Sequence, residues 1–295
     1  MLVLVLLVLR YQSERSPARQ IELKARKIDV VERMRYSLAA ASEAEKSAVL
    51  AVTDQDSQAF ADQARAATAE VERLRKTLGE LLAADASLKE KDLLASFSGL
   101  FADFQRVDRE LLALAIKNTN IKAFALAFGP AAQAAKETDS ALSRFLAEHA
   151  ASPQRVLLLV GGAQAAVLRL QTRLVPHIAE QSEQKMDELE ALMVNDDREI
   201  RAAFDGLAAP LRANPDLAAA RSSYERFSEL RTQILALSRE NTNVRSLAIS
   251  LDRKRKAMWM CQDALHALQQ EIAGEPAPVT PTNPRSMRAE PQTAP

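Results

Sequence analysis

Two short polar elements carry most of the chemistry this sequence could do. Asn118-Thr119-Asn120 and Asn241-Thr242-Asn243 are the same tripeptide, each inside a long Ala/Leu-rich stretch. Carboxamide and hydroxyl groups in such a place can cap a helix, form a buried polar layer, or line a pocket for a small ligand. All three readings stand on the residues alone. The first follows from the ease with which Asn and Thr adopt turn geometry. The second follows from the heptad count, which puts Asn118 on an apolar seam before Ile121, Ala125 and Phe128.

Close to the second element, Arg245 and the run Asp252-Arg253-Lys254-Arg255-Lys256 concentrate cations. The planar guanidinium fork suits a carboxylate, so Arg245, Arg253 and Arg255 join Asn118, Asn120, Asn241 and Asn243 as candidates for binding an organic anion. A solvated helix face balanced by neighbouring acids is the plain alternative. Lys24, Arg26 and Lys27 read as bordering a membrane surface.

Other chemistry is thin. His149, His177 and His266 fall on three different predicted helices, each expected at the surface or rim, so no nucleophile and base can be paired. A carboxylate-bridged metal pair needs two Glu-x-x-His motifs, and only the reversed His177-Ile-Ala-Glu180 occurs. The single cysteine, Cys261, excludes intrachain disulfides and Cys-x-x-Cys-His haem attachment, and beside Met258, Trp259 and Met260 it reads as core filling. Phosphate-cradling glycine loops are missing. No cofactor or metal is implied, and an enzyme is not expected. With 39 basic against 39 acidic residues, nucleic acid is not an expected partner either.

Few glycines and aromatics among abundant Ala, Leu, Glu, Arg and Gln predict an all-α fold. The clearest seam runs Leu93, Phe97, Leu100, Phe104, Val107, Leu111, Leu114, in alternating steps of four and three. Clusters of cap and turn formers punctuate the chain: Ser16-Pro17, Asp54 to Ser57, Asp85 to Ser87, Asn118 to Asn120, Ser152-Pro153, Asn195 to Asp197, Asn214 to Asp216 and Asn241 to Asn243. They predict two tandem antiparallel four-helix bundles of long helices, up-down-up-down, over residues 17–151 and 152–273. Pro176 and Pro210 should kink or end their helices. The apolar run around Gly161-Gly162 reads as a buried bundle helix rather than a membrane span.

The duplication has direct support. Phe101 to Phe128 aligns without a gap on Tyr224 to Leu251, matching Phe104 with Phe227 and one Asn-Thr-Asn with the other. At the ends, residues 1–16 begin with nine apolar or initiating residues, too few to span about 30 Å of hydrocarbon, and read as the remainder of a membrane anchor or, more plainly, as a frayed apolar N-terminus. Residues 274–295 are Pro-rich, poor in apolar residues and expected to be disordered.

An apolar start, Ala-rich heptads, the polar breaks Lys117-Asn-Thr-Asn120 and Glu240-Asn-Thr-Asn243, and a following VRSLAISLDRKRKAMWMCQDALHALQQEI resemble the four-helix-bundle sensor modules of bacterial methyl-accepting chemotaxis proteins and sensor kinases. That resemblance implies an extracytoplasmic, inner-membrane-anchored domain of periplasmic location, dimeric or paired with a receptor, binding a small organic anion or amino acid. The Pro-rich end, where a receptor would continue into a second span and signalling domain, implies a module without its own output. A structural or adaptor bundle that contacts proteins is the other expectation.

Overall fold

A computed structural model describes residues 17–84, 86–148, 154–208 and 214–274, and among them every regular element is helical. In chain order the helices are α1 (Pro17–Leu50), α2 (Asp54–Ala84), α3 (Leu88–Ala115), α4 (Thr119–Leu126), α5 (Ala132–Glu148), α6 (Gln154–Ala179), α7 (Glu183–Ala208), α8 (Pro215–Glu240), α9 (Thr242–Ile249) and α10 (Arg255–Ala273). Two five-residue π-helical turns, Ala127–Ala131 and Ser250–Lys254, join α4 to α5 and α9 to α10. The apolar N-terminal segment, His149, Ser152-Pro153, Pro210 and the Pro-rich tail beyond Gly274 lie outside the described residues.

Caps account for the helix starts. Ser87 and Glu90 form a reciprocal capping box, Glu90 N donating to Ser87 Oγ and Ser87 N to Glu90 Oε2, both at 3.0 Å. Asn214 accepts from Leu217 N at 3.0 Å, with Pro215 in the first helical position. One expected break is absent. Asn195 to Asp197 lie inside α7, and the chain turns instead at residues 180–182, where Glu180 Oε1 accepts the N–H groups of Gln181 and Ser182. The Asp side chains are held by Arg169, Arg173 and Arg231 rather than capping a helix.

The helices pack as two compact units, and the division differs from a break near Ser152. One unit takes the described residues of 1–42, 64–106 and 255–295; the other takes 43–63 and 107–254. The reason is apolar pairing: α10 supplies Cys261, Leu265, Leu268 and Ile272 to a core shared with Val31, Met34 and Leu38 of α1, Leu74 and Leu78 of α2, and Phe97, Phe101 and Phe104 of α3. Arg35 of α1 reaches Gln269 of α10 at 2.9 Å, and the buried Lys27 pairs with Glu90 at 3.2 Å. The repeat therefore counts sequence, while the packing unit follows the stripes. Trp259 and Met260 are 71% and 46% exposed, so of the residues read as core filling Cys261 alone is fully buried and Met258 only partly.

In the second unit α5, α6, α7 and α8 run antiparallel to their neighbours. Arg144 meets Asp216 and Thr138 meets Ser223 between α5 and α8, while Arg169 meets Asp196 and His177 meets Glu190 between α6 and α7. Their shared core includes Phe145, Val160, Leu170, Leu174, Phe204 and Phe227. The predicted seam of α3 holds: Phe97, Phe104, Val107 and Leu111 are buried. The stretch Leu88–Glu148 is long and apolar enough to cross a membrane by length and composition. It also carries buried Asp108 and Asn118, polar groups that need partners inside a bundle.

Candidate functional site: the paired Asn-Thr-Asn layer

The two tripeptides meet face to face inside the second unit. Each breaks its helix in the same way. Asn118 has φ 52° and ψ 38° and Asn241 φ 51° and ψ 39°, a left-handed conformation that Asn tolerates better than other residues with a Cβ. A break frees the first N–H groups of the following helix, which must find acceptors when buried. Here each motif caps the other. Thr119 N donates to Thr242 Oγ1 at 3.2 Å and Thr242 N to Thr119 Oγ1 at 3.1 Å. Asn120 N donates to Asn243 Oδ1 at 3.1 Å and Asn243 N to Asn120 Oδ1 at 3.2 Å.

The carboxamides are occupied by the same layer. Asn243 Nδ2 donates to Asn118 Oδ1, and Asn120 Nδ2 donates to Asn241 Oδ1 and to the Ile178 carbonyl. Asn118 Nδ2 reaches Ser57 Oγ at 2.9 Å and Asp54 Oδ1 at 3.1 Å, near the start of α2. Asn241 Nδ2 reaches the Glu180 carbonyl at 2.8 Å, beyond the end of α6. The hydrogen bond from Lys122 and then that from Asn118 hold the Asp54 carboxyl below its usual range. Helix break and buried polar layer are thus both realised, in one pseudo-twofold arrangement. Each of the four Asn carboxamides both donates and accepts in this arrangement.

The cations are placed elsewhere. Arg245 is exposed and bonds the Glu240 carbonyl at 3.4 Å; Arg253 forms a two-pronged pair with Glu110 at 2.9 and 2.8 Å; Arg255 is exposed on α10. The seven candidates do not converge on one pocket. Lys254 turns inward, 1% exposed, to pair with the buried Asp108. Glu45 shares that cluster, its carboxyl raised by burial against the partial relief of Ser250 and Lys254, and its Oε1 has no hydrogen-bond partner among the described residues.

His177, expected at the surface or rim, is completely buried. Nδ1 lies 2.8 Å from Ser238 Oγ and Nε2 2.9 Å from Glu190 Oε1. Burial pulls the imidazole below its usual pKa despite Glu190, while Arg239 and then His177 hold Glu190 below its own. The apolar neighbours Val175 and Ile178 could have signalled this only with the phase of α6 known. His266 is exposed as expected.

One open groove, about 400 Å³, runs between α5 and α8 in the second unit and was not signalled by any motif. Lys136, Glu137, Ser140 and Arg144 line one wall, Ser222 and Arg226 the other. Arg144 pairs with Asp216 and Arg226 with Glu137. Lys136 makes no ion pair among the described residues. Comparison with family models, curated proteins and solved structures finds no match.

Proposed function

We propose that the chain is an extracytoplasmic, chemoreceptor-like sensory module built on two four-helix bundles, which takes a small organic anion or amino acid in the groove between α5 and α8. The observation that carries this reading is the mixed charge of that groove. Lys136 stands ready for a carboxylate, Arg144 and Arg226 can exchange their present partners for one, and Glu137 can receive an ammonium. The Asn-Thr-Asn layer has a different part in this reading: it fixes the break points of the helices whose far ends form the groove.

Thermal-shift screening with organic acids and amino acids tests it. A compound that raises the melting temperature of the full chain should lose that effect in Lys136→Ala and Arg226→Ala. If no compound shifts the transition, or the shift survives both substitutions, the assignment of the groove fails. A bundle that contacts other proteins is the second reading, favoured by an uncharged exposed face on α6.

A further inference from the structure

We propose that the outer face of α6 is a homodimer interface, in which two copies of α6 pack antiparallel about a twofold axis passing between Ala165 and Leu168. Leu158, Gly161, Ala165, Leu168, Thr172 and Val175 recur in steps of three and four, and all six are exposed. Leu158 and Leu168 are 67% and 60% exposed, whereas Val160, Val167 and Leu174 on the opposite side of the same helix are in the core. A helix with an apolar stripe on both sides has two partners, and the structure supplies one.

The second partner is best supplied by the chain itself. Antiparallel pairing sets Leu158 against Val175, Gly161 against Thr172, and Ala165 against Leu168, so each large residue of the central step meets a small one. Nothing lies within 4 Å of a Cβ added at Gly161, which leaves an open notch in the stripe. A groove of about 590 Å³ between α5 and α6 continues the face sideways, its floor formed by Ala135, Ala165 and Leu168 and its polar edge by Lys136, Asp139 and Gln164. The electrostatics agree. Between Arg155 and Glu180 the only cations on α6 besides the buried His177 are Arg169 and Arg173, and both are tied to Asp196 of α7. The six stripe positions themselves are therefore uncharged, Arg169 also being paired with Glu199 of α7 beside Gly162, and a neutral chain adds no long-range repulsion between copies. Antiparallel packing also brings Arg155 at the start of one helix toward Glu180 at the end of the other, twice per dimer.

Sedimentation equilibrium of the full chain tests this, with dissociation expected in the micromolar range for so short an interface. Gly161→Leu fills the notch without touching the fold, and Leu168→Glu puts a charge beside the axis. Each should weaken the dimer about tenfold or more, with unchanged helical circular dichroism. Orientation is read by cysteines in a Cys261→Ala background. Leu158→Cys mixed with Val175→Cys should cross-link, and Leu158→Cys alone should not, because its two copies would stand roughly 25 Å apart. A chain that stays monomeric at the highest concentration, a dimer indifferent to both substitutions, or efficient self-linking of Leu158→Cys overturns the proposal. So does an association abolished by deleting residues 1–9 and untouched by Leu168→Glu, which would put the contact on the apolar start of the chain.

Discussion

Asp108 and Arg231 occupy the same position of the duplicated sequence, 123 residues apart like the two Asn-Thr-Asn elements, yet they carry opposite charges. Asp108 is buried with Lys254 as its ion-pair partner, and Glu45 crowds the same cation. Arg231, less deeply enclosed, faces Asp197, which also accepts from Tyr224 and Arg201. Burial works against the Asp197 carboxyl, but the hydrogen bonds of Arg201 and Tyr224 and the charge of Arg231 outweigh it and hold it low. Burial and then Asp197 push the Tyr224 phenol up. The backbone break is preserved between the repeats while the buried charge one helical stretch earlier is solved independently in each. The first cluster depends on one cation for two acids; the second shares one acid among three donors.

That asymmetry predicts unequal failures. Lys254→Met removes the buried cation that Asp108 and Glu45 share and should cost about 3–5 kcal/mol in chemical unfolding, whereas Arg231→Met, with Asp197 still held by Arg201 and Tyr224, should cost less than half as much. Equal losses would show the two clusters to be alike. Next comes the break itself. Asn118→Ala forces a residue with a Cβ but no carboxamide into left-handed geometry and unpairs Asn243, at about 2–4 kcal/mol, and Asn118→Gly should recover about 1 kcal/mol of it. Asn241→Ala and Asn241→Gly should behave in the same order if the layer is truly twofold.

Glu45 gives a pH test. Its folded carboxyl is raised, so the folded state binds the proton more tightly than the unfolded chain. Its contribution is therefore favourable below the ordinary glutamate range and is lost as pH rises from that range through the folded value. Glu45→Gln should raise the melting temperature at pH 8 more than at pH 4; the reverse order would mean that Lys254 serves Glu45 before Asp108. The smallest effect belongs to Arg253→Ala. Its pair with Glu110 is exposed, and thermal melts should barely change.

The breaks near Asp54, at Ser87, at Asn214 and at both Asn-Thr-Asn elements were legible because short polar side chains that bond backbone N–H groups stand where helices begin, although before α2 the capping hydroxyl is that of Thr53, one residue ahead of the cluster that marked it. Residues 195–197 misled for the same reason: Asp in mid-helix looks like a cap unless the guanidinium groups on α6 and α8 that claim it are known. The seam predicted which side of α3 faces inward but not that Asp108 lies on it, since a charge reads as outward until its partner is found. Lys254 was hidden inside a basic run whose other members point outward. The division into packing units was illegible because α10 follows the second repeat in sequence while its apolar side matches α1, α2 and α3.

The π-helical turns at Ala127–Ala131 and Ser250–Lys254 begin nine residues after Asn118 and Asn241. A π-helical turn accommodates one residue more than an α-helical path needs, so each repeat carries a spare residue at a fixed address. Deleting a residue elsewhere in these helices turns everything downstream by roughly 100°. Deleting the exposed Gly129 instead lets the turn relax to α-helix and leaves α5 facing as before. In the second repeat the spare residue is not free to go, because that turn aims Lys254 at Asp108. Length variation in this architecture is thus permitted in one repeat and forbidden at the matching place in the other.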